Sequence, residues 1–409
     1  MRDLDVSASE AIWPRAWRVV AMGLVAVLIA ASGFLVGFGY TWARTPKYAA
    51  GNPVDLSMFW QAWGYVQRHF YGPTPSGSAL TYGAIDGALE TLGDPYTRLV
   101  RPVASEIEQD TLRGSFGGIG AYVYEDEGDV CLRPLADSPA EKAGVLEGDR
   151  LVAVDDRVLP EGTTVDQAVS WVRGPIGEAV RVGIYRPATA EELTFSIVRE
   201  EVTQPTVEWR VLESYQPTVG YVRISLFSER TADELQRALA SIRRDGAEVI
   251  VLDLRSNPGG LLEAAVEVTS RFIGRGVVLY EVDANGDERT YTVRPRVRAD
   301  EPLVVLTNGD TASASEIVAG ALQDHERALL VGTTTHGKGS VQFSYVLSDG
   351  SSLHVTSALW LTPNQREING VGLTPDVIVE PTEGEEDAIL AAGLQVLGVS
   401  QVAAEGVSQ

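Results

Sequence analysis

The sequence predicts a multidomain α/β protein in which a membrane-spanning amino terminus precedes a helical region, a small β-rich domain and a layered α/β domain. Three observations carry this. Residues 19–43 contain no charge. Short alternating strands separated by glycine turns fill residues 114–200. From about Gly220, nearly all-apolar strands alternate with helical stretches, the pattern of a sheet covered on both faces.

Length and composition set the frame. The 409 residues exceed the roughly 250–300 at which one core stops growing, so two or more folded units are expected. Apolar residues make up 44% and charged residues 22%, values of a packed globular chain rather than a disordered or collagen-like one. A formal charge of −23 opposes nucleic-acid binding. One cysteine, Cys131, excludes an intrachain disulfide, and four scattered histidines offer no ligand pattern, so no metal and no cofactor is expected.

The uncharged run Val19–Ala43 is longer than the roughly 20 residues that span a bilayer core. Trp13, Trp17, Tyr40 and Trp42 flank it as interfacial aromatics do. An uncleaved signal anchor is expected rather than a cleaved signal peptide, because no small-residue cleavage site follows a short apolar region. Residues 1–18 are then cytoplasmic and the rest of the chain lies outside the cytoplasm, as in a single-pass bacterial envelope protein.

Residues 52–113 read as helical. Phe59, Trp60, Trp63, Val66 and Phe70 recur at helical spacing, and this apolar arm can pair protomers into a homodimer. A second helix is expected from Tyr82 to Leu92, ended by Gly93-Asp94-Pro95. In the β-rich part, Ser138-Pro139 opens a short capped helix and Val165–Val172 is amphipathic. In the α/β part the expected strands are Val219–Ile224, Val249–Leu254 and Leu303–Thr307, and the helices Thr231–Arg244, Leu261–Phe272 and Ala314–Gln323. Residues 381–409 form an acidic tail with a short helix, Glu386–Leu397.

Three segments carry chemistry. Thr311-Ala312-Ser313-Ala314-Ser315-Glu316-Ile317 lies between a buried strand and a helix. A serine there is displayed at the sheet edge, near backbone amides that can stabilise an oxyanion, although the same pattern also serves as an N-cap. His336-Gly337-Lys338-Gly339-Ser340 surrounds one lysine with small residues. Desolvated, that lysine is a general base for a serine; solvated, it is a surface charge. Gly259-Gly260 after the strand Val249–Leu254 permits close backbone approach to a ligand, or makes a tight strand–helix turn.

Together these segments closely resemble the carboxy-terminal processing peptidases, serine endopeptidases with a Ser–Lys dyad on a crotonase/ClpP-like core and an inserted PDZ domain. The matching residues are Asp253–Leu262, Thr311–Ile317 with Ala319–Asp324 behind it, Gly337–Gln342, Gly370-Val371-Gly372-Leu373-Thr374-Pro375-Asp376-Val377, and upstream Asp94-Pro95-Tyr96-Thr97-Arg98. The resemblance implies that Ser313 is the nucleophile, Lys338 the general base and Gln342 its orienting partner. It implies oxyanion donors at the amides of Gly259 and Ala314. Residues 114–200 are the implied PDZ domain, with Gly118, Ile119 and Gly120 holding the free carboxylate of a substrate tail, and 201–380 the peptidase core. The implied partners are proteins or peptides with free C-termini. Arg173, after the helix Val165–Val172, either gates the site from the PDZ side or is a solvated turn residue.

Two departures stand out. His336 replaces a usual aromatic and raises a Ser–His alternative, and Asn364-Gln365-Arg366 replaces a Gly-Arg turn. The rival functions are a catalytically silent PDZ adaptor, against which the joint presence of Ser313, Lys338 and Gln342 argues, and an acyl-CoA enzyme on the same core architecture.

Overall fold

The computed structural model describes residues 55–380 and 387–402. The expected span, residues 19–43, lies outside the described residues, as do 381–386 of the acidic tail. No helix among the described residues is long and apolar enough to cross a membrane. The chain divides into two compact units, Met1–Gly77 and Ser78–Gln409.

The first unit contributes helix α1 (Ser57–His69), none of whose residues is buried. Helix α2 (Gly77–Glu90) starts earlier than expected, because Tyr82 sits mid-helix. The region to residue 113 is not uniformly helical. After the Gly93–Pro95 break comes a strand, β1 (Arg98–Val100), and only then α3 (Pro102–Arg113). The strand was not legible in Arg98-Leu99-Val100 itself. It forms by adding to a strand some 250 residues away, Arg98 opposite His354.

Helix α3 ends on Gly114 in the left-handed conformation and leads into β2 (Ser115–Gly118). The β-rich domain follows with β3 (Ala121–Asp126), β4 (Asp129–Pro134), α4 (Pro139–Ala143), β5 (Asp149–Val154), β6 (Arg157–Val158), α5 (Val165–Val172), β7 (Ala179–Arg186) and β8 (Glu191–Val198). The main strands run in the order β3-β4-β5-β7-β8, leaving β3 at an edge, and β9 (Glu200–Thr203) closes the domain by pairing with β2. Leu132, Val145, Ala168, Val180, Val182 and Ile184 fill its core. Thr164 and Gln167 form a capping box that starts α5, as the sequence pattern predicts.

The α/β domain holds β10 (Val207–Leu212), β11 (Tyr215–Gln216), β12 (Val219–Ile224), α6 (Thr231–Arg244), β13 (Val249–Asp253), α7 (Leu262–Thr269), β14 (Val277–Asp283), β15 (Glu288–Thr292), β16 (Leu303–Thr307), α8 (Ala314–Asp324), β17 (Leu329–Gly332), β18 (Ser340–Val346), β19 (Ser352–Leu361), β20 (Val377–Ile378), α9 (Ala388–Val396) and β21 (Ser400–Gln401). Its main sheet, β10-β12-β13-β16-β17-β20, is parallel except where β10 meets β12. Residues alternate between its faces. Val222, Ile224, Ile250, Leu252 and Val305 join a core with residues of α6, α7 and α8, while Val219, Val249, Val251, Val304 and Leu306 meet Ile389 and Leu394 of α9. Helix α7 is shorter than expected, because Phe272 and Ile273 bury themselves from the turn that follows it. A second sheet, β1-β19-β14-β15 with β18 on β19, carries the lysine segment.

A candidate active site at the strand–helix junction

Strand β16 is buried throughout and stops at Thr307. Thr311 Oγ1 donates to Leu254 O at 2.9 Å, tying the following turn to the end of β13. The turn delivers Ser313 as the first residue before α8, with φ 55° and ψ −119°. Ser313 is the N-cap residue of α8 and shares a capping box with Glu316, but its dihedrals lie outside the β region that capping residues ordinarily occupy. A strained non-glycine residue is the kind of outlier that marks active sites. The N–H of Ala314, first residue of α8, is one of the amides a helix cannot satisfy internally.

Gly259 stands directly against this serine. A Cβ added at 259 would lie 2.7 Å from Ser313 Cβ and 2.9 Å from Ala314 N, and its φ is +106°. The Gly259 N–H, however, donates to Asn257 Oδ1 at 2.9 Å. In this arrangement it is engaged inside its own turn, which differs from the free oxyanion donor the sequence led us to expect. Asn257 is itself fully buried, donating through Nδ2 to Ile224 O.

Lys338 sits in the loop before β18 rather than on the strand. Among the described residues its Nζ makes no hydrogen bond or ion pair; it lies over the Tyr96 ring, 4.9 Å from the centroid. Burial draws the amine below the ordinary lysine value; Arg98 adds to this, and Glu108, Asp94 and Glu316 oppose it. Gln342 does not bond the lysine. Its Nε2 donates to Ser340 Oγ at 2.8 Å and Thr356 Oγ1 at 3.3 Å. His336 is exposed, with its N–H on Thr311 O.

A cavity of about 460 Å³ brings Ser313, Ala314, Gly259, Lys338 and Gln342 onto one wall system. Leu226, Leu261, Leu262, Ile317 and Trp360 make its apolar part, and Glu108 and His354 a polar end. His336 is not among the residues lining it.

Sequence reasoning missed the residue that joins the two halves. Glu316 is fully buried. Its Oε2 accepts from Ser313 N at 2.8 Å and Lys338 N at 2.9 Å, and its Oε1 from Thr335 Oγ1 and Gly337 N. The signal was present: an acidic residue three positions after a serine before an apolar helix.

A second cavity, of about 250 Å³, lies between the β3 edge and α5. Gly118, Ile119 and Gly120 line it with Val169, Val172 and Arg173. Arg173 reaches neither Gln342 nor the lysine loop here. It is the C-cap of α5, and its guanidinium stacks 3.7 Å from the centroid of Phe116 on β2. Nε and Nη1 are buried without partners. Burial lowers its affinity for its proton, against the pull of Asp110 and Glu106 on α3.

Comparison with known proteins decides the family. Residues 218–379 match the model of peptidase family S41, and residues 132–186 that of the PDZ domain. The chain is 38% identical to a carboxyl-terminal-processing protease of Synechocystis over 332 residues, 80% of this chain and 77% of that protein.

The chain belongs to the carboxyl-terminal processing peptidases of family S41.

It is a serine endopeptidase with a PDZ domain. The carboxy-terminal processing protease CtpA of Bacillus subtilis is 33% identical over 359 residues, 87% of this chain and 76% of that one. Among solved structures, the photosystem II D1 C-terminal processing protease matches at 32% identity with a TM-score of 0.48, over 84% of this chain and 91% of that chain.

Proposed function

We propose that this processing peptidase cuts peptide bonds by a Ser–Lys acyl-enzyme mechanism and selects substrates by their free C-terminal tails. The observation that carries the reading is the shared cavity: Ser313, strained at a helix start, opens onto the same space as a half-buried Lys338 whose Nζ makes no hydrogen bond or ion pair among the described residues.

In this mechanism Ser313 Oγ attacks the scissile carbonyl carbon and its proton passes to Lys338 Nζ. The carbonyl π pair moves to oxygen. The Ala314 N–H and the positive end of α8 meet that oxyanion, and the Gly259 N–H joins on turning away from Asn257 Oδ1. The lysinium then protonates the leaving amine, and water repeats the sequence on the acyl-enzyme. Gln342, four residues beyond the lysine, orients Nζ once its amide turns from Ser340.

The PDZ groove is the proposed tail site. Strand β3 lies at a sheet edge beside α5, so an extended tail adds to it as a further strand, with its carboxylate at Gly118–Gly120. Arg173, whose Nε and Nη1 have no hydrogen-bond partner among the described residues, lies at the wall of the same groove and is the proposed gate. The uncharged run 19–43 anchors the protein in a bacterial membrane with the catalytic part outside the cytoplasm. Helix α1, with Met58, Trp60, Tyr65 and Phe70 exposed beside or upon it, supports pairing of protomers.

The test uses a fluorophosphonate probe and two substrates. Wild type labels and cleaves a peptide with a free carboxylate faster than its C-terminal amide, and Ser313→Ala loses both labelling and cleavage. Labelling that survives in Ser313→Ala overturns the nucleophile. Equal rates on the two substrates overturn tail selection.

A further inference from the structure

The Asp94–Arg98 turn underlies the lysine. Asp94 accepts hydrogen bonds from Tyr96 N, Thr97 N and Thr97 Oγ1 at 3.1, 3.1 and 2.6 Å, which wraps the turn around one carboxylate. Thr97 Oγ1 accepts from Thr356 N on β19 at 3.0 Å. Thr356 Oγ1 in turn accepts from Gln342 Nε2. The next residue, Arg98, opens β1 and pairs with β19. The turn is therefore stitched to the β18–β19 hairpin that follows Lys338, and it holds the half-buried Tyr96 ring with Lys338 Nζ above it.

We propose that Tyr96 is a positioning residue of the reaction: its ring face holds Lys338 Nζ and stabilises the lysinium formed when the amine takes the Ser313 proton. This rests on the reading of Lys338 as general base. In that step the Ser313 O–H bond breaks, the proton joins the Nζ lone pair, and the oxygen pair forms the bond to the carbonyl carbon. Burial lowers the amine's affinity for a proton, which favours the neutral base, but the same burial disfavours the cation that the step creates. An aromatic face stabilises a cation within about 6 Å without bringing a counter-charge that would protonate the amine beforehand. A carboxylate in its place would form a resting ion pair and silence the base.

The other charged groups around Lys338 are Arg98 of β1, Glu108 of α3, Asp94 of the turn and Glu316 of α8, and His354 of β19 lies against Glu108. All of them remain when residue 96 alone is changed. The pH dependence of kcat/KM on a tailed peptide, and of fluorophosphonate labelling at Ser313, therefore reads the ring by itself.

The experiment compares the full chain as wild type, Tyr96→Phe, Tyr96→Leu and a protein carrying 3,4,5-trifluorophenylalanine at position 96. Phe keeps the ring face and keeps the acid limb where it was. Leu and the trifluorinated ring shift that limb to lower pH by about half to one unit, with kcat reduced by about 3–10-fold and KM little changed. Should Leu fail to fold, the fluorinated ring decides, because it preserves the shape while removing the negative face. An unmoved limb in the fluorinated protein overturns the proposal even if the rate falls, since packing alone lowers rate without changing basicity. Lys338→Ala is run alongside: its inactivity leaves the general-base reading standing whatever residue 96 does, and its activity would sink both.

Discussion

Glu316 Oε2 lies 2.8 Å from Ser313 N and 2.9 Å from Lys338 N, so a single buried carboxylate oxygen is bonded to the backbone of both candidate dyad members. The serine arrives from the end of the main parallel sheet and the lysine from the loop before the second sheet. Four donors converge on this one side chain, which is the expected number for a carboxylate with no solvent. The two candidate residues are thus registered through main-chain atoms, and neither the serine hydroxyl nor the lysine amine is used in that link.

Glu316→Ala should lose activity beyond what its stability loss explains. It orphans four buried donors and removes the link between the two loops, at a cost on the order of 3 kcal/mol. Glu316→Gln retains one acceptor oxygen but turns an NH2 toward two other donors, so it falls between. Thermal melts and assays at a temperature where all three proteins are folded separate the effects. Full activity in a folded Glu316→Ala protein would refute the linkage.

Lys338 ties activity to stability through pH. A general base must be neutral, and burial has lowered its affinity for a proton, so activity should rise with pH along a limb lying below the ordinary lysine value near 10.5. The stability sign follows from proton counts. Between the folded and unfolded values the unfolded chain binds the extra proton, so stability rises with pH across that window; below it, the folded state carries a disfavoured buried cation. Lys338→Met should therefore be inactive yet melt higher than wild type at neutral pH. His336→Ala should keep wild-type activity, since that side chain is exposed and absent from the cavity wall. A lower melting temperature for the methionine variant, or loss of activity on changing His336, would contradict the assignment.

Gly259 tolerates no side chain for two separate reasons. Its φ of +106° is strained for any L residue, and a Cβ would press on Ser313 Cβ and the Ala314 amide. Gly259→Ala should reduce kcat by about 100-fold or more, the scale of a lost oxyanion donor. Gly286→Ala is the matched control, with φ +84° but open space around the added carbon. It should cost some stability and leave kcat unchanged. Comparable kcat losses in both would attribute the effect to strain alone.

The core was legible because its physics is local. Val249–Asp253 and Leu303–Thr307 are apolar at every position but the last, and runs this short and this rich in valine fit strands of a doubly covered sheet. Ser313 was legible because strand, turn and helix adjoin in sequence. What escaped were pairings made at long range. Strand β1 exists only because β19 lies beside it, and Tyr96 meets Lys338 across more than two hundred residues of chain. Gln342 and Gly259 line the same cavity as Ser313, and their hydrogen bonds go to Ser340, Thr356 and Asn257. Residue spacing cannot state which of several polar partners a buried amide takes.

Arg173 does not make the contact with Gln342 or the lysine loop that a gate was expected to use, and the gate proposed for it works through Phe116. The guanidinium stacks on Phe116, and two of its nitrogens are buried without acceptors. Buried donors without acceptors are costly, so the side chain has a standing reason to move toward any acceptor that appears. Phe116 lies on β2, which α3 enters directly, and α3 also carries Glu108, Thr111 and Leu112 into the catalytic cavity. A tail entering the groove between β3 and α5 meets Arg173 at its wall. In the proposed gate, movement of Arg173 off Phe116 frees β2 and α3, and the released guanidinium then pairs acceptors beside Lys338, so that the stack holds the resting arrangement while the arginine itself is needed for the active one. The coupling requires only that the tail bind the released arrangement more tightly than the stacked one. Arg173→Ala should lower kcat on a tailed substrate by about 10-fold or more while leaving tail affinity within about threefold, a coupling in the usual allosteric range. Phe116→Ala removes the stack that holds the resting state, and should raise the rate on a short tailless peptide. Isothermal titration with a tail peptide and steady-state rates on both substrates measure each quantity. Unchanged turnover in Arg173→Ala, or a loss matched wholly by weaker tail binding, would leave Arg173 a groove residue with no part in gating.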